Sequence, residues 1–385
     1  MTRDAVDAED AEALVALLQR LIRAASPDPP GDERAVAAVV ATELEGRGLA
    51  PTVDEFALGR FNVTARVRGA GKCPALVFSA HMDTLPAGEG AWTHPPFDGV
   101  RADGHVYGRG ACDMKSGLAA MIVAAAALER ADVPPPGDVI LAVTGGESSN
   151  CLGARRLAAT DALADAGALL VSEPSSLAVL IAHKAALWLR ATAHGGVGHL
   201  SAGDGGGRNA IALMLAGLVD LAEALPADAH PLLGRASLTV GRIRGGEAIN
   251  LTAERCTADL DVRLLPGHDP AAVERALEGR LGDGFGLERL DFKPAVETAV
   301  DDPFVATCRA AVRSVVGEGE DEAAAPGGAA YFTDACVLAA AFDLPTVIIG
   351  PGRLGGSGAV DERVAVADLV TAARLYRDIA ASRLG

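Results

Sequence analysis

Aromatic residues are scarce in this chain, at 4% of 385 residues, so alanine, valine and leucine must fill its interior. Paired cysteine motifs are missing. The six cysteines, Cys73, Cys112, Cys151, Cys256, Cys308 and Cys336, are scattered with no C-x-x-C spacing, which argues against a disulfide framework and fits a reducing cytoplasm. No apolar run approaches the roughly 20 residues a bilayer crossing requires. The Ala-rich stretch 118–128 is too short and reads as a buried helix, while the acidic segment 1–26 has apolar residues at helical spacing and is neither a signal peptide nor a span. Basic residues are outnumbered, 34 against 51 acidic ones, for a formal charge of −17, and no basic patch appears. Such a surface repels phosphate backbones and anionic lipid, which argues against nucleic acid and membrane as partners.

What is present is core-forming material. Hydrophobic residues make up 50% and charged residues 22%, with a mean hydropathy of +0.24, and the length favours two domains over one. Strands are expected at 61–67, 75–80, 139–144, 168–172 and 178–182, and helices at 11–24, 33–47 and 116–130. Fully apolar strands near helices read as the interior of a largely parallel sheet covered on both faces. The pattern then changes to strand 186–194, helix 209–225, strands 236–244 and 255–264, helix 270–281 and strand 287–298. This β-α-β-β-α-β order is that of a ferredoxin-like sandwich. From about 300 the α/β character resumes, with helices at 303–316, 333–342 and 364–383 and a strand at 346–349. The expected architecture is therefore α/β, interrupted by an inserted α+β domain: 1–184 and 300–385 form the first domain and 185–299 the second.

Four constellations can carry chemistry. His81-Met82-Asp83 follows a buried strand, where open α/β sheets bind ligands. An imidazole nitrogen of His81 can meet a metal while Asp83 takes the other ring N–H; the plainer reading is a solvated loop histidine beside a turn aspartate. Asp113 lies between glycine-flanked residues and a long helix, and by itself reads as a helix N-cap. Glu147 and Glu173 each end an apolar strand, where a carboxylate often marks only the point at which the chain reaches water. Together with the first two, they resemble one oxygen-and-nitrogen metal site with a spare carboxylate as base.

The ordered segments HMDTLPAG, GRGACDMKSG, GGESSNCLGA, SEPS, GGVGHLSAG, GGEAINLTAERCTADLDVRLLPG and TDACVLAA resemble the aminoacylase, acetylornithine deacetylase, succinyl-diaminopimelate desuccinylase and carboxypeptidase G family of co-catalytic metallohydrolases. The resemblance implies a zinc-peptidase-like catalytic domain with an inserted ferredoxin-like dimerisation domain. It implies His81, Asp113 and Glu173 as ligands of one metal, Asp113 being the carboxylate that bridges two metals in the family, Glu147 as general base, and His199 reaching the partner subunit's active site to polarise the scissile carbonyl. Asn250 and Arg263 match substrate-contacting positions, Arg263 being suited to a bidentate grip on a carboxylate. Two positions depart from the family pattern. Ser148 stands where a second glutamate is usual and Gly358 where a histidine is usual, and both missing groups are ligands of the other metal.

The expectation is one ion per active site, zinc with cobalt or manganese as alternatives, since three protein ligands and a water make the usual open catalytic zinc geometry. The expected activity is hydrolysis of an amide in an N-acyl amino acid or small peptide-like substrate, by a cytoplasmic homodimer. Two competing readings are non-hydrolytic chemistry on the same scaffold (amide formation, cyclisation or elimination) and a non-catalytic homologue. Ser148, Asp361, His183 and His194 are candidates to rebuild the lost ligand set.

Overall fold

The computed structural model describes residues 8–196, 208–316 and 323–383. The chain divides into two compact units: Met1–Ala182, Glu297–Gly327 and Thr333–Gly385 form the first, His183–Val296 with Gly328–Phe332 the second. The short return of 328–332 to the second unit has no counterpart in the sequence-based division.

The first unit is built on a mixed sheet. Its successive strands are Thr52–Ala57, Arg60–Val67, Val139–Thr144, Ala75–His81, Ala166–Val171, Thr346–Ile348 and Leu180–His183. The four strands from Val139–Thr144 to Thr346–Ile348 run parallel, and antiparallel strands flank them. Every residue of Ala75–His81 and Val139–Thr144 is buried, as expected of strands covered on both faces. Helix Lys115–Glu129 buries 13 of its 15 residues, and its small side chains let it lie close to the sheet. Gly117 is the point of nearest approach, since a Cβ there would lie 2.4 Å from Ser172 Oγ. The buried Lys115 ammonium donates to the carbonyls of Leu21 (2.8 Å) and Ala24 (2.9 Å), at the end of helix Ala8–Arg23. Burial pulls its pKa down to about 7.

The second unit is a four-stranded antiparallel sheet in the order Ser237–Gly245, Arg255–Leu264, Ala185–His194, Phe285–Lys293. Helices Ala210–Leu218 and Pro270–Leu281 contribute Ala210, Met214, Val273, Leu277 and Leu281 to a core with the inward residues of the two central strands. In chain order this is β-α-β-β-α-β with the first and third strands central, the ferredoxin-like arrangement. The helix expected over 209–225 ends at Leu218, because Val219 is extended and Asp220 takes a left-handed conformation (φ 54°) before a short 3-10 turn. The last strand stops at Lys293 and not near 298, since Pro294 offers no N–H for the ladder.

Candidate metal centre

His81 is the last residue of its strand and is buried. Its Nδ1 lies 2.9 Å from the Asp83 carbonyl oxygen, so Nδ1–H donates there and Nε2 faces the interior of the site. Nε2 is 3.1 Å from Asp113 Oδ1 and 3.4 Å from Glu173 Oε1. The donor atoms of all three residues lie within 4.8 Å of one another, and no other such group of three occurs among the described residues. Three lone-pair bearing atoms converge in this way only around a proton or a cation. Ligands about 2.0 Å from a zinc ion at tetrahedral angles are about 3.3 Å apart, which the two measured separations bracket. The residues present therefore fit a small divalent ion.

Electrostatics agree with that fit. Burial alone would lower the His81 pKa, but the charges of Glu173 and Asp83 win and hold it well above its ordinary value. Burial opposes ionisation of Asp113, yet its contact with His81 keeps its carboxyl below the usual range. Glu173 is pushed up to about 8 by burial and by the charge of Asp113. Glu147 is raised well above the carboxylate range, first by burial and then by the charges of Glu173, Asp334 and Asp83, which outweigh the opposing effect of His81. Five acidic side chains, Asp83, Asp113, Glu147, Glu173 and Asp334, thus interact around one imidazole, and protons must neutralise the excess charge unless a cation does.

The plainer readings of these residues do not hold. His81 is not a solvated loop residue, and Met114, not Asp113, precedes helix Lys115–Glu129 without a side-chain cap. Asp83 also differs in detail from expectation. Its backbone carbonyl, not its carboxylate, takes the His81 ring proton, while the carboxylate lies 3.7 Å from Nδ1. That carboxylate instead accepts the amides of Glu147 and Ser148, each at 3.0 Å. Asp83 thereby fixes the backbone that carries Glu147. A second tether is Ser149 Oγ, which donates to Asp28 (2.7 Å), itself paired with Arg60. Asn150 and Cys151, with φ of 72° and 54°, complete the turn into helix Leu152–Ala158.

The remaining predicted residues are accounted for as follows. Arg263 lies on strand Arg255–Leu264 of the second unit, where Nη2 donates to Asp261 (2.8 Å) and the guanidinium sits 5.3 Å over the Phe332 ring. Its Nη1 is buried and has no hydrogen-bond partner. Asn250 is exposed in the turn before the same strand. His199 lies outside the described residues.

Among the described residues, no second group of three donor side chains accompanies Ser148 and Gly358. Asp361 is engaged by Thr93, at 2.8 Å from its amide and 2.7 Å from its hydroxyl. His183 is buried in the second unit with Nδ1 on the Lys184 carbonyl, and His194 ends a strand of that unit. Ser357, next to Gly358, donates its hydroxyl to Asp113 Oδ2. Sequence reasoning missed this residue, along with Asp334, a buried acid bonded to Thr144 and raised to about 6 by burial. The quoted TDAC segment was the one signal for Asp334.

Comparison with known proteins follows the same lines. The description "Peptidase family M20/M25/M40" matches residues 77–382. A succinyl-diaminopimelate desuccinylase of Paracoccus denitrificans is 31% identical over 384 residues, covering 94% of this chain and 96% of its own. The crystal structure of an M20 family metallo-carboxypeptidase from Sulfolobus solfataricus superposes with a TM-score of 0.78 at 18% identity, covering 97% of this chain and 98% of the other. A Bacillus subtilis protein described as a dinuclear metal binding peptidase of the family superposes with a TM-score of 0.70 at 15% identity, covering 98% and 99%. Nothing among these supports the non-hydrolytic or non-catalytic reading.

Proposed function

This chain belongs to the peptidase family M20/M25/M40, and on that footing we propose that it is a metal-dependent amide hydrolase acting on N-acyl amino acids or small peptides, with one zinc ion per active site. The observation that carries the reading is the convergence of His81, Asp113 and Glu173 beside Glu147, whose amide is held by Asp83. An ion held by these three residues supplies Lewis acidity and acidifies water. Glu147, kept basic enough by its buried, negatively charged surroundings, takes the proton of the attacking water and returns it to the leaving amine. Asp83 contributes by fixing the Glu147 amide, so the carboxylate need not search for its position.

Arg263 is the proposed grip for a substrate carboxylate, a role supported by its buried, unpartnered Nη1. Asn250 and His199 are assigned to substrate contact and to the developing oxyanion by the family resemblance. A homodimer through the second unit is supported by its edge strand Ser237–Gly245, where Val240 and Ile243 are 40% and 46% exposed and, among the described residues, no further strand pairs with its outer side. A cytoplasmic setting is supported by six free cysteines, and no helix among the described residues is long and apolar enough to cross a membrane.

The test is elemental analysis of the purified protein joined to turnover of a panel of N-acyl amino acids and dipeptides. One ion per chain and activity lost on chelation and regained on zinc addition are expected. Undiminished hydrolysis by exhaustively chelated protein would refute the proposal.

A further inference from the structure

Glu362 precedes the short strand Arg363–Ala365, which pairs antiparallel with His105–Tyr107. This pairing brings Glu362 beneath the loop that runs from Gly108 to Asp113, and the Gly108 amide donates to the Glu362 carbonyl at 2.8 Å. The side chain does more. Its Oε1 accepts the amides of Gly110 (3.0 Å), Cys112 (2.9 Å) and Asp113 (3.0 Å), while Oε2 is paired with the Arg109 guanidinium. Both partners of that ion pair are buried, at 2% exposure each. Gly110 supplies the left-handed turn (φ 88°) that folds the loop around the carboxylate.

Three amides converging on one oxygen exceed what a loop staple requires. An ordinary turn is closed by one backbone hydrogen bond, and a buried carboxylate is costly unless its oxygens are fully used. Here one of the amides belongs to Asp113 itself, so the anchor acts at the backbone of the residue whose Oδ1 faces His81. The same carboxylate reaches the other side of Asp113. Arg109, held by Glu362, donates to the Gly358 carbonyl at 3.1 Å, adjoining the Ser357 hydroxyl that bonds Asp113 Oδ2.

From this geometry we infer that Glu362 is a positioning residue for metal binding, setting the Asp113 carboxylate against His81 and Glu173 through the backbone of its loop. The inference rests on the reading that those three residues hold a divalent ion. Groups that orient a ligand in this way typically contribute 10- to 100-fold to metal affinity.

The experiment compares wild type, Glu362→Ala and Glu362→Gln in the full-length protein, each checked for fold by circular dichroism. Zinc affinity is measured by competition with a chelating dye, and amide exchange of segment 108–115 is followed in the metal-free state. Glu362→Ala should bind zinc 10- to 100-fold more weakly and exchange faster in that segment. Glu362→Gln keeps an oxygen for the three amides but loses the pairing with Arg109, and should fall between wild type and Glu362→Ala in both readouts. If Glu362→Ala is recovered unfolded, Glu362→Asp, one methylene short of the amides, carries the same expectation.

A folded Ala variant with wild-type affinity and exchange overturns the inference. So does a Gln variant that loses as much as Ala, since the effect would then lie in charge and not in the amide anchor. Should wild type itself take up no ion, the proposed function fails, and the exchange comparison alone decides whether Glu362 holds the loop.

Discussion

Asp113 is bonded on both carboxylate oxygens, Oδ1 by His81 Nε2 at 3.1 Å and Oδ2 by the hydroxyl of Ser357. A carboxylate that bridges two cations must offer one oxygen to each. In this chain the second oxygen is already engaged by a neutral donor, and the residues that would complete a second site are Ser148 and Gly358. Metal analysis is therefore expected to give one ion per chain, and the paired replacement Ser148→Glu with Gly358→His to move the value towards two. A native value near two would contradict this.

Gly358 carries a separate cost. Its φ is 75°, and an added Cβ would lie 3.2 Å from Leu85 Cδ1. Gly358→His alone is expected to destabilise the fold by about 1 kcal/mol, the usual penalty of a left-handed backbone for a side chain with a Cβ. Urea unfolding of the single variant measures it, and unchanged stability would show that the loop adapts.

Glu147→Gln should lower kcat by about 10²- to 10⁴-fold, the usual contribution of a positioned base, and leave metal content unchanged. His81→Ala should lose both. A Glu147→Gln enzyme with near-normal kcat would remove Glu147 from the reaction.

Much of this site was legible because His81, Glu147 and Glu173 each end or follow an apolar strand, and strand ends are visible as breaks in hydrophobic runs. The clusters at 81–83, 147 and 173 could be read that way, Asp113 by its glycine-flanked place before a long helix, and the ferredoxin-like order of the second unit followed from its alternating pattern. The anchoring groups were not legible. Glu362 is 249 residues from Asp113 in sequence and meets it only because a three-residue strand pairs with another. Nor could spacing show that the Asp83 carboxylate serves the Glu147 backbone and leaves the imidazole proton to a carbonyl. Such choices depend on angstrom-scale orientation that residue types alone do not encode.

Glu33 predicts a pH dependence away from the metal. Burial, then the charge of Asp83, raises its pKa from 4.5 to about 7 against the opposing pull of Arg60, and its Oε2 has no hydrogen-bond partner. The folded protein therefore retains a proton that the unfolded chain has released. Its contribution to stability is present below about pH 4.5 and is lost as pH rises through about 7. Glu33→Gln should flatten that part of a curve of unfolding free energy against pH; an identical slope in the variant would exclude Glu33 as its source.

Ile243→Glu, on the edge strand of the second unit, places a charge where two copies would pair backbone to backbone. The variant is expected to run as a monomer in sedimentation velocity while wild type runs as a dimer. A dimeric variant would place the contact elsewhere.

Lys115 stands two residues after Asp113 and spends its ammonium on carbonyls at the end of the first helix. Trimming the chain past that helix would strand the ammonium among apolar side chains, where it would shed its proton or drag its segment toward solvent. Deletions that remove helix Ala8–Arg23 should thus register first as weakened metal binding, well before any loss of the sheet, which ties that helix to the site although it contributes no group to it.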